Sequence, residues 1–215
     1  GVVVSSSRYL IELEGLPSAR LNMLLIDHDG RRALVTAFSE DRVQAVLFDE
    51  SAAREGSEFY PSETPLSLPR VSELAGRVVN PLGDLIDERG AIPGERFGIV
   101  FDPVAEGIGE REEITEQFVT GIALIDLLLP LGRGQRELCI GPMRSGKGAV
   151  LRDIIAHQSK SGAACVYAAV GKPAAQIRRF LEFLETSGAD RYTTIVAARA
   201  DEATLLAATV VAQTA

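Results

Sequence analysis

Apolar positions in the first seventy residues come in short bursts spaced roughly ten residues apart: Val2–Val4, Tyr9–Leu13, Met23–Ile26, Ala33–Phe38 and Gln44–Phe48. Turn-forming residues separate them, including Glu14-Gly15, Ser39-Glu40-Asp41 and, above all, Asp29-Gly30, a dipeptide suited to a tight hairpin. Short, evenly spaced strands of this kind predict a small β-barrel or sandwich over residues 1–70. Pro61–Pro69 carries three prolines and reads as a linker.

The texture changes from Val71. A short strand is expected at Leu74–Val79, a turn at Asn80-Pro81-Leu82-Gly83-Asp84, and an extended crossing segment over residues 87–118, rich in Gly, Pro and Glu. The last hundred residues or so then alternate between strand and helix patterns, as an α/β sheet requires. Glu137–Ile140 reads as a strand and Ala149–Ser159 as a helix with Val150, Leu151, Ile154 and Ile155 on one stripe. Ala164–Val170 is continuously apolar, which predicts a strand covered on both faces. Ala174–Thr186 places Ile177, Phe180, Leu181 and Leu184 at helical spacing, with Gly188 as its C-terminal cap. Thr193–Ala198 is the next strand, and a further helix is expected from near Asp201. The fold class is α/β, with a second, parallel-sheet domain over residues 71–215. Only three core strands precede Ala215 and the chain begins at Gly1, so a piece of something longer is expected.

The densest chemistry lies between the strand at Glu137–Ile140 and the helix after it, in Gly141-Pro142-Met143-Arg144-Ser145-Gly146-Lys147-Gly148. Glycines in a strand-to-helix loop let successive amides converge on phosphate oxygens, and the helix N-terminus adds partial positive charge. Lys147 then reaches the outer phosphates as a point cation. Gly148 stands where a Ser or Thr usually supplies a magnesium ligand, which puts Mg2+ binding in doubt. Met143 and Arg144 fill the loop interior; Arg144 is equally readable as a phosphate contact or a solvent-facing charge. Ser145 has no neighbouring His/Asp pair and is a loop residue. No catalytic or metal-ligating set is expected.

Composition narrows the classes. Hydrophobic residues make up 46% and charged residues 24% of the 215, a globular balance, and no apolar run is long enough to insert directly into a membrane. The net charge of −8 weighs against nucleic acid as a partner. Lysine occurs only at positions 147, 160 and 172. Cys139 and Cys165 fall in apolar runs and are expected to be buried, reduced thiols, and with His28 and His157 they do not make a zinc site.

The run Thr120–Gly148, TGIALIDLLLPLGRGQRELCIGPMRSGKG, resembles the alpha subunit of F-type ATP synthases. Thr120-Gly121-Ile122, Ile125-Asp126, Pro130 and Gly132–Leu138 carry the likeness, supported by Gly76–Val79, Leu82-Gly83, Ile86-Asp87 and Gly90 upstream and by Tyr167–Gly171 and Ile195–Ala198 downstream. It is strong from about residue 74 and rests on strand rhythm before that. The resemblance implies an N-terminal β-barrel followed by a truncated P-loop, RecA-like nucleotide-binding domain. It further implies a subunit that binds ATP or ADP without turning it over, in a rotary enzyme coupling ATP synthesis to proton or sodium transport. The implied partners are beta subunits in an alternating hexamer, a central gamma stalk and delta or b-type peripheral-stalk subunits. The implied location is peripheral, on the cytoplasmic side of the cell membrane or the matrix side of the mitochondrial inner membrane.

Catalytic subunits of that family carry a glutamate after the second core strand, and alpha subunits a glutamine; here Lys172 stands there and cannot act as a base. Glu106 and Gln117 stand where the family has prolines. Two readings of Gly148 remain open: a decayed site in a structural spacer, or a site in which Lys172 supplies a second cation in place of the metal. Another hexameric ring ATPase, Rho-like or of the secretion type, is a further alternative. It would need a basic face on residues 1–70, which hold no lysine. Asp126 and Glu137 are expected to be structural.

Overall fold

The computed structural model describes residues 1–7, 9–48, 53–62, 67–98, 107, 109 and 112–199. The helix expected from Asp201, the Glu106 substitution and residues 63–66 of the linker lie outside them.

The first part is an antiparallel sheet of six strands: β1 (Val2–Ser7), β2 (Leu10–Glu14), β3 (Leu24–Asp27), β4 (Arg32–Ser39), β5 (Arg42–Leu47) and β6 (Phe59–Pro61). Their spatial order is β1-β2-β5-β4-β3-β6. The sheet curls until its ends meet: Val2 pairs with Glu58, and the Val3 amide donates to Ser57 O at 2.9 Å. Alternation explains the interior, because inward residues recur every second position. Ile11 and Leu13 of β2, Val43, Ala45 and Leu47 of β5, and Ala33 and Val35 of β4 are buried against Phe59 and Leu25. The Asp29-Gly30 signal marks the β3–β4 connection, where Gly30 takes φ 82°. Asp27 fixes that turn by accepting from the amides of Asp29 and Arg31 at 3.0 and 2.8 Å.

A hairpin-like pair, β7 (Ser67–Pro69) with β9 (Arg96–Gly98), flanks β8 (Val78–Val79). The strand expected at Leu74–Val79 is therefore much shorter. Residues Val71–Glu73 form a 3-10 turn, and only Val78 and Val79 reach a neighbouring ladder. Within the segment expected to be extended, β10 (Gln117–Phe118) pairs with β11 (Leu131–Gly132), bracketing α1 (Ala123–Leu128).

The parallel sheet joins β8 to β12 (Cys165–Lys172) and β13 (Thr193–Arg199) in the order β12-β13-β8. The other helices are α2 (Lys147–His157) and α3 (Ala174–Ser187). The central strand β13 is buried on both sides. Ile195 and Ala197 face α3 with Ile177, Phe180 and Leu184, while Val196 and Ala198 face Leu74 and Val79. Helix α3 ends where expected, on Gly188 at φ 71°.

Two expectations are corrected here. β12 is covered on one face only: Ala169 is buried, whereas Val166 and Val170 are 36% and 43% exposed. Its continuous apolar run described composition, and helix coverage of the second face is absent among the described residues. Glu137–Ile140 is not a strand, and Leu138 and Ile140 are 80% and 82% exposed. A strand exists only with a partner ladder, and no described strand pairs with this run. Cys139 is consequently exposed rather than buried, while Cys165 is half-buried.

Candidate nucleotide site

Helix α2 begins at Lys147, two residues earlier than its apolar stripe predicts, because Gly146 caps it in the left-handed region at φ 92°. Helical bonding starts with Ala149 and Val150, which donate to Gly146 O at 2.8 and 3.1 Å. The amides ahead of them are those a helix start leaves for an external acceptor. Arg144 also takes a positive φ, 63°, a conformation that a side-chain-bearing residue adopts at a cost.

The loop closes on its own lysine. Lys147 Nζ donates to Gly141 O at 2.6 Å and Pro142 O at 2.7 Å, and lies 3.4 Å from Ser145 Oγ. Gly141 permits the close approach of Ser145, since a Cβ there would lie 2.7 Å from Ser145 Oγ. Met143, Arg144 and Ser145 are exposed, as is Gly148. Gly148 brings no hydroxyl, Ser145 lies beside the ammonium, and no group of three or more His, Cys, Asp or Glu occurs among the described residues. No side-chain hydroxyl at position 148 is therefore available to a divalent cation.

Lys172 ends β12 in an exposed position, beyond Gly171 at φ 61° and a register shift against β13. That is the carboxyl end of the sheet, where ligands sit in open α/β folds. No hydrogen bond or ion pair joins Lys172 to residues 141–148 in the described structure.

The distal end of α2 is held by residues that the sequence did not flag. Gln158 is 3% exposed and donates from Nε2 to Val119 O at 3.0 Å. The Tyr192 hydroxyl donates to Ile155 O at 3.0 Å and Ala156 O at 3.2 Å, and burial raises its pKa. Arg152 lies over the Phe183 ring at 5.5 Å. The apolar stripe itself is less covered than expected: no residue of α2 is fully buried, and Leu151 is 43% exposed. A polar residue just past a helix end was the only available signal for Gln158.

Asp126 has the structural geometry expected of it. Its carboxylate accepts from the Thr120 hydroxyl at 2.7 Å, the Thr120 amide at 2.8 Å and the Gly121 amide at 3.0 Å. Those bonds hold its pKa below the ordinary carboxylate value. Glu137 accepts from the Gln135 amide group.

Residues 121–215 match the family described as "ATP synthase alpha/beta family, nucleotide-binding domain". Over 203 residues, 94% of this chain, the sequence is 36% identical to "ATP synthase subunit alpha" of Acidithiobacillus ferridurans. Residues 121–215 therefore carry a domain of the ATP synthase alpha/beta family, within an alpha-type fragment. The chain spans 39% of the length of that alpha-type relative. The family match takes in the 141–148 loop, α2, β12, α3 and β13, and the alpha-type similarity extends through the curled sheet. No helix among the described residues is long and apolar enough to cross a membrane.

Proposed function

We propose that this chain is a non-catalytic, nucleotide-binding alpha subunit of a rotary ATP synthase, contributing to ATP synthesis coupled to proton or sodium transport. Residues 1–70 form its β-barrel domain and residues 71–215 its P-loop domain. Gly141, Pro142, Met143, Arg144, Ser145, Gly146, Lys147 and Gly148 cradle the phosphates of ATP or ADP. The observation that carries this reading is Lys147 at the first turn of α2, its ammonium drawn inward by loop carbonyls. A polyphosphate offers that ammonium stronger acceptors than two neutral carbonyls do. Lys172 stands at the β12 end where the family's catalytic subunits carry a water-activating glutamate, and an ammonium is not a base. The chain alone therefore does not hydrolyse ATP, and Lys172 contributes a second cation. The assembly is an alternating ring with beta subunits around a gamma stalk, braced by delta or b-type subunits. It is peripheral to the membrane, on the cytoplasmic or matrix side.

The missing hydroxyl at Gly148 favours a second reading, a ring spacer with an empty pocket. Calorimetric titration of the assembled complex with ATP, with and without magnesium, separates the two. Binding that changes less than about threefold on chelation, and weakens about tenfold in Lys172→Ala, supports nucleotide held by cations of the chain, since a tenfold loss corresponds to about 1.4 kcal/mol. Magnesium-dependent affinity indifferent to Lys172→Ala defeats the second-cation role. No binding, and no copurified nucleotide, establishes the spacer.

A further inference from the structure

The Asn80–Asp84 turn is where the six-stranded sheet meets the three-stranded parallel sheet. It directly follows β8, which is bonded to β13 through Val78 and Val79. The turn is locked internally: Asn80 Oδ1 accepts from the amides of Leu82 and Asp84 at 3.0 and 2.8 Å, and the Asn80 amide donates to Asp84 O at 2.8 Å. Asn80 Nδ2 also donates to Asp84 Oδ2 at 2.9 Å, aiming that carboxylate outward from the turn. There it receives Arg32 of β4 at both oxygens, Nη1 to Oδ1 at 3.2 Å and Nη2 to Oδ2 at 2.6 Å. The β7–β9 pair closes the other side. Arg96 donates to Ser67 O at 2.6 Å and lies 3.4 Å from Gly83 O. A Cβ at Gly83 would stand 2.4 Å from Leu68 Cδ2, so the turn is seated tightly on β7.

We infer that this turn is a joint setting the orientation of the curled sheet on the parallel-sheet module, with Arg32–Asp84 as its lock. Two parallel donor–acceptor contacts between planar groups fix an angle as well as a distance. The Arg32 and Asp84 side chains are 29% and 45% exposed, and ion pairs so wetted add little to global stability. Orientation is the property such a pair controls. The inference is independent of whether nucleotide binds.

The test places spin labels on the full chain at two exposed sites, Asp41→Cys in the β4–β5 turn and Thr186→Cys near the end of α3, with Cys139 and Cys165 replaced by serine. Pulsed electron–electron resonance reads the distance distribution. Arg32→Met leaves the turn's own hydrogen bonds in place and removes the lock. The expected result is a distribution at least about twice as wide, with an unchanged circular-dichroism spectrum and a melting midpoint within about 2 °C. The reversed pair, Arg32→Asp with Asp84→Arg, narrows it again. An unchanged width in Arg32→Met overturns the inference, as does a variant that broadens only because it has lost its folded spectrum.

Discussion

The charge of Asp87 is bound tightly into the fold. Burial pushes its carboxyl up, but Arg77, at 2.6 and 2.9 Å, and the amides of Val78 and Arg89 outweigh that and hold it at about 2. A folded pKa below the unfolded one stabilises the protein above the unfolded value of 3.8, and the contribution is lost as pH falls toward about 2. The shift corresponds to roughly 2 kcal/mol. Asp87→Asn is expected to destabilise by at least that at pH 7, because Arg77 is left partly buried without its partner, and to flatten the stability curve between about pH 4 and 2. Urea titrations across that range measure both. Two glycines give opposite expectations. A Cβ at Gly148 meets nothing within 4 Å in a helical position, so Gly148→Ala gains up to about 1 kcal/mol. At Gly83 the backbone sits at φ 78° against Leu68, so Gly83→Ala costs about 1–3 kcal/mol. Equal effects of the two in denaturant melts would contradict this contrast.

Among elements, α3 and β13 share one buried core, and their signals in the sequence were plain. Ile177, Phe180 and Leu184 are the buried face that the helical spacing marks, and Gly188 ends the helix in the left-handed conformation. Leu184, 1% exposed, has no room to be replaced without a void, so Leu184→Ala is expected to cost about 2–5 kcal/mol in chemical denaturation. The five strands of the first fifty residues were equally legible, because each buries one face and alternation records it. β6 was not: three residues long and ending in Pro61, it carries too little pattern, and its place depends on a long-range pairing with β3. Glu137–Ile140 shows the converse. An apolar run states that a segment can join a sheet, but the ladder that would accept it lies elsewhere. At the site, the glycine loop and its lysine were readable from spacing. Gln158 and Tyr192, which tie down the far end of α2, were not, since their acceptors are main-chain carbonyls 39 and 37 residues away.

At the scale of the whole molecule, the exposed apolar residues gather in the stretch between β10 and α2. Leu124, Leu127, Leu128 and Leu129 are 69–79% exposed and Met143 is 92% exposed. Surface of that kind drives association and dye binding in an isolated protein. Leu127→Glu combined with Ile140→Glu is expected to lower fluorescence of an apolar-surface dye and to shift light scattering of the free chain toward monomer, without altering the α3–β13 core. The same stretch lies largely inside the family match over residues 121–215, while the curled sheet's core is self-contained.

The inward-drawn Lys147 has a kinetic corollary. An incoming anion does not meet a waiting cation; it meets an ammonium already engaged by Gly141 and Pro142. Capture then needs a prior release, and observed association rates in stopped-flow mixing should level off at high ligand concentration instead of climbing in proportion to it.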